Sequence, residues 1–510
     1  MFVRKNRNRS GSVSIQIISK NKGKYRVVKT IGTAKGLDDI ERLVKKARNE
    51  IRNLDPQEKL FSTEGSEEII LDNFLDSLSN NQIHTIGPEL IFGTLFDRLG
   101  FNVIKEELFR HLVITRLAYP VSKLKTVDYL YRYRGIHLTE DSIYRFLDTL
   151  NSDYKDITEK ITYEYTKNVL NGSISVVFYD VTTLYFETED EDDLRKIGFS
   201  KDGKFQCPQI MIGLLVGPGG YPIGYDVFEG NTFEGHTLID TLEQIQTKYD
   251  LDRPVVVADA AMLSKKNLRE LTEAGYTFIL GGRIKNEDEA TKVKILKKAQ
   301  GVANGASFEI RRKDQTRLVV SFSEKRQAKD AHNRDRGIKR LRKRIASDKL
   351  NKDHLTNRGY NKFLTLKGEA SVEIDEDKIA QDALWDGLKG YVTNSSLSQK
   401  KVIENYGHLW QIERAFRISK TDLRVRPVYH YKQERIKAHL CIAFVAYTIW
   451  KELERLLKEH RVDLSPKRAG ELTHNMYELE YELPGEKRLG SKILKMDTEQ
   501  RLLYEVIHRG

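Results

Sequence analysis

Tyr406, Glu413 and Lys420 follow one another at intervals of seven residues in the stretch Tyr406-Gly-His-Leu-Trp-Gln-Ile-Glu413-Arg-Ala-Phe-Arg-Ile-Ser-Lys420. Seven helical steps close to within about 20° of whole turns, so a continuous helix would carry all three on one stripe. Arg417 would stand beside them, four residues after the glutamate. A carboxylate flanked along its own face by a phenol and cations suits a metal-ligating acid that works on a phosphodiester. A solvated helix face can show the same spacing by coincidence. Trp410, beside that face, could stack on an unpaired base, although an aromatic in an apolar helix more commonly belongs to a core.

Two aspartates upstream favour the chemical reading. Residues 173–187, around Asp180, are apolar and β-branched and read as a buried strand continuing past an acid. Gln209–Val216 reads as a second strand, Gly217-Pro-Gly-Gly220 as a turn and Tyr221–Phe228 as a third strand. A helical pattern over Thr237–Gln246 precedes Pro254-Val-Val-Val-Ala-Asp259, a short apolar strand ending on an acid. Strands buried on both faces belong inside a helix-covered sheet. A helix over Ser264–Ala274 and a strand over Tyr276–Leu280 complete an order of three strands, helix, strand, helix, strand. That order is the order of a ribonuclease-H-like core, and it predicts that Asp180 and Asp259 meet near the centre of the sheet. With Glu413, three carboxylates from two strands and a helix could hold two divalent cations. One ion would activate the attacking water or 3′-hydroxyl and the other would stabilise the leaving oxygen. Oxygen-only ligands favour Mg²⁺, with Mn²⁺ as a substitute.

At these residues the chain resembles the bacterial insertion-sequence DDE transposases of the insertion sequence four superfamily, which carry a Tyr-x2-Arg-x3-Glu-x6-Lys signature. Tyr406, Glu413 and Lys420 fall on that pattern, and Leu409 occupies the arginine position. Tyr179-Asp180-Val-Thr-Thr, Glu229-Gly-Asn-Thr232, Ala258-Asp259-Ala, Val392-Thr-Asn394, Phe416-Arg417 and Arg426-Pro427 with His430 extend the resemblance over roughly residues 110–450. The resemblance implies a catalytic, metal-binding triad of Asp180, Asp259 and Glu413, with Tyr406 and Lys420 on phosphates of the transposon end. The family arginine also serves the terminal 5′ phosphate. Leu409 leaves that contact open, and His408, Arg414 and Arg417 are the candidates to replace it. The implied reaction is hydrolysis at transposon ends followed by joining of the free 3′-hydroxyl to target DNA. A different ribonuclease-H-like nuclease, such as a resolvase, and a transposase-derived DNA-binding protein that no longer cuts are the alternatives.

About 150 residues separate Asp259 from Glu413, and loops of that length are rarely structureless. An inserted module is expected there, and insertions at this point are a feature of the resembled family. A hairpin over residues 306–322 and strands at Lys362–Leu366 and Ala370–Ile374 are expected, with a basic helix at Glu324–Lys349 between them. Arg340, Arg342, Lys343 and Arg344 crowd that helix and suit either backbone phosphates or a solvated face rich in charge pairs. Gly390–Asn394 reads as the strand that resumes the core.

Composition sets the outer bounds. The 510 residues carry 86 Lys+Arg against 74 Asp+Glu, a net charge of +12, which favours a polyanionic partner. Cys207 and Cys441 stand apart without metal-type spacing, so a disulfide framework or zinc site is not expected and a reducing cytoplasm is. The basic N-terminus lacks an apolar signal segment, and the apolar run Leu440–Trp450 is too short to span a bilayer.

The whole reads as an α/β protein: a ribonuclease-H-like core, a mixed sheet flanked by helices, interrupted by a β-rich insertion and accompanied by helical flanking domains. Residues 1–60 are expected to form a small basic ββα module, with strands at Ser12–Ile18 and Tyr25–Ile31 and a helix at Leu37–Leu54. Residues 61–168 are expected to be mainly helical, to begin with an acidic linker at 61–78, and to read terminal repeats by a helix-turn-helix-like device. Residues 169–284 form the first part of the core, 285–384 the insertion and 385–450 the second part with the glutamate helix. Residues 451–510 form a helical tail, with a helix over Pro466–Glu480, that the resemblance suggests helps dimerise the protein. The expected partners are DNA, as terminal inverted repeats and target, and a second copy of the chain. No membrane is expected, and the protein would work in the cytoplasm on the nucleoid.

Overall fold

The computed structural model describes residues 1–8, 10–21, 23–54, 71–201, 203–249, 251, 253–347, 354–356, 358–367, 371–482 and 489–509. They divide into two compact units, Met1–Ile83 with Leu479–Lys492, and His84–Glu478 with Ile493–Gly510.

In the first unit, strands β1 (Phe2–Arg7), β2 (Val13–Asn21) and β3 (Lys24–Ala34) form an antiparallel meander. The helix Leu37–Leu54 packs on it around Ile15, Ile17, Ile40 and Ala47. The expected ββα module therefore has a third strand. The basic stretch at residues 4–7 is that strand, paired from Phe2↔Ile18 to Arg7↔Val13. Its charged, mostly exposed side chains suit a sheet edge, where charge discourages pairing with another chain. Of the expected linker, residues 61–70 lie outside the described residues, and Leu71–Ser77 is helical.

A short strand, β4 (Ile83–Thr85), precedes the second unit's N-terminal helices, among them Glu107–Ala118, Lys123–Arg134, Glu140–Thr149 and Lys155–Val169. Ser122 and Thr139 cap two of these, each accepting a backbone N–H three residues on. Then come β5 (Val176–Tyr185), β6 (Gln209–Val216), β7 (Pro222–Glu229), β8 (Val255–Ala258) and β9 (Thr277–Gly282). They are followed by β10 (Ser307–Arg311), β11 (Arg317–Phe322), β12 (Leu364–Lys367), β13 (Ser371–Ile374) and β14 (Leu388–Thr393).

One mixed sheet of eight strands, in the order β10-β11-β14-β9-β8-β5-β6-β7, dominates this unit. Strands β5 and β6 and strands β6 and β7 pair antiparallel, whereas β5 and β8 and β8 and β9 pair parallel. All eight residues of β6 are buried, as expected of a strand covered on both faces. On one face Val177, Tyr179, Val256 and Leu280 pack with Leu238, Leu242 and Leu271 of the crossover helices. On the other, Phe178, Leu184 and Val257 meet the N-terminal helices, Ile412, and the long helix Gln433–Glu459.

The hairpin β10–β11 lies in the expected insertion, yet it pairs through β14 and so continues the core sheet. The basic helix runs Glu324–Ala346, and with β12 and β13 it forms a small separate cluster around Ile338, Leu341, Phe363 and Val372. Arg334 of that helix donates to Asp386 at 2.6 Å, both nearly buried, just before β14. The expected helix over Pro466–Glu480 ends at Thr473, and Tyr477–Glu482 is strand β15, followed by β16 (Leu489–Ile493). The alternation Tyr-Glu-Leu-Glu-Tyr-Glu has the period of a strand. The tail is therefore mixed, with a final helix at Thr498–Arg509.

Two stability predictions follow from this packing. Gly213 of β6 lies against the ring and hydroxyl of Tyr179, leaving no room for a Cβ. Gly213→Ala should cost about 1–3 kcal/mol by overpacking, and adding Tyr179→Phe should recover part of it, read from thermal unfolding midpoints. Arg334→Met or Asp386→Leu alone should cost about 1–3 kcal/mol by leaving a partly buried charge without its partner, and the double substitution should restore most of that. An additive double variant would show that the pair does not act as a unit.

Candidate active site

Pleat parity decides where the two aspartates point. On β5, Val177, Tyr179 and Val181 enter one core layer while Phe178 and Leu184 enter the other. Asp180 has the parity of Phe178. On β8, Val256 and Ala258 face the first layer and Val257 the second. Asp259, two residues after Val257, follows it onto the same side. The parallel register pairs Tyr179 with Ala258, so Asp180 and Asp259 are the next residues of adjacent strands. Ile412 and Ala415 of the glutamate helix pack into that same layer.

Burial pushes the Asp180 carboxyl up to about 6, with Asp259 and Glu234 adding to the rise and Lys201 and the Val181 N–H opposing it. Its Oδ1 accepts from the Val181 N–H at 2.8 Å and lies 3.8 Å from Lys201 Nζ. Lys201 also pairs with Glu234 at 2.9 Å and donates to the Val181 carbonyl at 2.6 Å. Asp259 begins a single 3₁₀ turn, its Oδ1 accepting from the Ala261 N–H at 2.7 Å.

The stretch with seven-residue spacing is not one continuous helix. A helix over Gln399–Gly407 ends, His408 and Leu409 form a turn, a second helix runs Trp410–Arg417, and Ile418–Asp422 is a wider π-type turn. Glycine at the end of the first helix weakens continuation. Tyr406 is buried, Glu413 exposed and Lys420 half-buried. Gly281 of β9 admits the Tyr406 ring, since a Cβ there would stand 2.6 Å from the phenol oxygen and 2.8 Å from the Ala260 nitrogen. Burial raises the Tyr406 phenol above its ordinary range, and the nearby charges of Asp259 and Glu413 push it the same way. The phenol therefore stands within the field of two of the three acids. Lys389 of β14 lies 4.5 Å over its ring, its ammonium lowered by burial and by Arg326 while Glu413 opposes.

The second helix is fixed to the sheet at the β6–β7 turn. The Gly219 N–H donates to Gln411 Oε1 at 2.9 Å, and from the long helix Gln433–Glu459 the Tyr447 hydroxyl donates to the Gly220 carbonyl of the same turn at 2.7 Å. Arg414 is engaged with Glu454, which also pairs with Lys451. Arg417 and His408 are exposed. Leu409 is only 8% exposed and belongs to the core, whereas Trp410 is 51% exposed, so the core placement expected for that indole fails. Among the described residues, no three His, Cys, Asp or Glu side chains group closely enough to hold a metal ion. The two aspartates are thus brought together, while Glu413 shares with Asp259 only an influence on the Tyr406 phenol.

Lys201, Glu234, Lys389 and Gln411 escaped the sequence reading. Glu234 follows Glu229-Gly-Asn-Thr232 by two residues, so that motif was the available signal. Lys201 and Lys389 had none, because a lysine's role depends on which acids the fold places around it.

No curated protein matches the chain. Among solved structures, similarity is found to a piggyBac transposase synaptic complex with hairpin DNA, at 10% identity over 76% of this chain and 78% of that one, with a TM-score of 0.39. A Mos1 transposase paired-end complex with the left transposon end matches 31% of this chain and 53% of that one at 10% identity and TM-score 0.16. A Mos1 mariner paired-end complex with Mn matches 31% and 54% at 11% identity and TM-score 0.15. At these scores the structural likenesses carry no argument. The family model described as "Transposase DDE domain" matches residues 171–449, a span that takes in Asp180, Asp259 and Glu413 and more than half of the chain, and the protein belongs to that family.

Proposed function

We propose that this DDE transposase cuts DNA at the ends of an insertion sequence and joins the freed 3′-hydroxyl to target DNA, and that it belongs to the insertion sequence four superfamily. The observation that carries the reading is the β5–β8 register, which sets Asp180 and Asp259 side by side on the face covered by the Glu413 helix. The strand order β7-β6-β5-β8-β9, with β6 alone antiparallel to its neighbours, supports a ribonuclease-H-like core at residues 169–284 and 385–450.

The donor chemistry at the aspartates fits divalent cations. Two carboxylates, one raised chiefly by burial and further by the neighbouring acids, hold more negative charge than Lys201 offsets. Asp180 and Asp259 would be ligands, with Glu413 as the third, and all-oxygen donors suit Mg²⁺ or Mn²⁺. Bound there, a pair of ions would supply Lewis-acid activation of the attacking oxygen and charge stabilisation of the leaving one.

Lys201 orients Asp180 and Glu234 and keeps the Asp180 carboxyl from turning away. The Asp259 side chain is pre-set by the Ala261 N–H. Gln411 ties the Glu413 helix to the β6–β7 turn, and Tyr447 ties the long helix Gln433–Glu459 to the same turn, which is the positioning such catalysis depends on. Tyr406, with Lys389 over its ring, and Lys420 would meet phosphates of the transposon end. Arg414 is committed to Glu454, so His408 and Arg417 are the better placed of the remaining candidates. The helical region 61–168 would bind terminal repeats, and the tail would support a homodimer on nucleoid DNA.

Nicking at the element's terminal repeats should fall on the order of 10²-fold or more in Glu413→Gln and in Asp180→Asn, while gel shifts show DNA binding retained. Nicking that persists in Glu413→Gln would remove that residue from the site. Leu409→Arg restores the family signature but puts a charge into the core, so it should lower stability by about 3 kcal/mol or more and leave cleavage no faster. An unchanged unfolding midpoint would show that an arginine at 409 reaches solvent instead of the core.

A further inference from the structure

Away from the carboxylates, a cavity of about 500 Å³ opens between the start of the helix Lys123–Arg134 and the segment Arg424–His430. Its walls carry a concentration of buried positive charge. Lys123 is 7% exposed and Arg116 6% exposed, and among the described residues neither forms an ion pair with an acid. Among the described residues, Arg116 donates to the carbonyls of Leu423 and Arg424, at 3.4 and 3.3 Å. Lys125, Arg424 and Arg426 line the same cavity. His430 and His439 are buried beside them, their rings 5.3 Å apart, and His439 Nδ1 has no hydrogen-bond partner. Glu140 is the sole lining carboxylate among the described residues, and it accepts from the Tyr144 hydroxyl.

Burying an unpaired charge costs several kcal/mol, so this arrangement calls for a counterion. Burial and Arg116 hold the Lys123 ammonium well below its ordinary range, and burial lowers the Arg116 guanidinium to about 10. Burial, with Lys123 and Arg116, also lowers His430 to about 3. The groups oppose each other's charge, and a bound anion would offset that mutual repulsion. The helix start adds the positive end of a 12-residue helix capped by Ser122.

We propose that this cavity is an oxyanion site for a phosphate, and that in the working protein the phosphate is a backbone phosphodiester of bound DNA. The first half stands on the cavity alone, and the second rests on the DNA reading above. The site gives Arg426, Pro427 and His430, a motif without a role at the carboxylates, a common function in shaping one wall. It lies on the N-terminal helical region, so it would fix the register of DNA on that region without reading its sequence.

The test uses the full chain and two variants, Lys123→Met and Arg426→Gln. Inorganic phosphate is titrated at constant ionic strength against chloride by calorimetry and by thermal midpoint. A linear duplex is titrated by fluorescence anisotropy at several salt concentrations. Wild-type protein should bind phosphate and gain stability from it. Lys123→Met should weaken phosphate binding at least tenfold while raising the midpoint of the ligand-free protein, since it removes an uncompensated buried charge. Its duplex affinity should fall, with the log–log salt slope smaller by about 1. Loss of the phosphate response with unchanged duplex binding would overturn the DNA half and assign the site to a free phosphate or nucleotide. Equal phosphate responses in all three proteins would overturn the site itself. If Lys123→Met does not fold, Arg426→Gln carries the same comparison. Binding is read without cleavage, so failure of the nicking experiments would leave this result intact.

Discussion

The parallel pairing of β5 with β8 is the constraint on which the rest depends. It sets Tyr179 opposite Ala258, so the residues that follow, Asp180 and Asp259, emerge side by side. A slip of one residue would turn either acid to the opposite face of the sheet and into the crossover-helix core. Both strands are pinned against that slip from each side, β5 by the buried β6 and β8 by β9. Tyr179 adds a lock from the far face, its hydroxyl donating to Thr237 at 2.7 Å. The register is thus maintained by apolar burial, and the acids are carried by strands they do not stabilise.

Packing then determines how much of the charge at the site is compensated. Burial and neighbouring acids raise Asp180 towards neutrality, and Lys201 tethers it without cancelling its partners. The cavity beside Lys123 is the opposite case, with buried cations and almost no acid. Each imbalance costs folding free energy, and each is the kind of site a counter-charge from outside the chain would stabilise. Elsewhere the same unit pairs its buried charges closely, as Arg334 with Asp386 and Arg455 with Glu452. The carboxylates and the Lys123 cavity differ in this from those closely paired charges.

The hairpin β10–β11 changes the meaning of the long interval before Glu413. Part of that interval extends the core sheet through β14, and a smaller part, around the helix Glu324–Ala346, has its own apolar cluster. Lys389 and Arg326 come from these two parts and meet near Tyr406. The interval therefore furnishes side chains to the candidate site as well as bulk beside it.

Sequence alone was enough for the strands and helices of the core and for the placement of Asp180 and Asp259 at adjacent strands, because buried apolar runs and the acids that interrupt them are local patterns. The spacing of Glu413 from Tyr406 and Lys420 made it a candidate, although the single helix that spacing assumed is broken. Local pattern failed where two periods compete, as at Tyr477–Glu482, and where charge conceals an edge strand, as at Phe2–Arg7. It also treated residues 406–420 as one helix, since seven-residue spacing does not register a turn at His408–Leu409. Tertiary structure alone decided that Leu409 is core and Trp410 exposed, that Arg414 is spent on Glu454, and that Lys201, Lys389 and Lys123 stand where they do. The physical reason is that a side chain's burial and its charged neighbours are set by residues distant in sequence, and no local period records them.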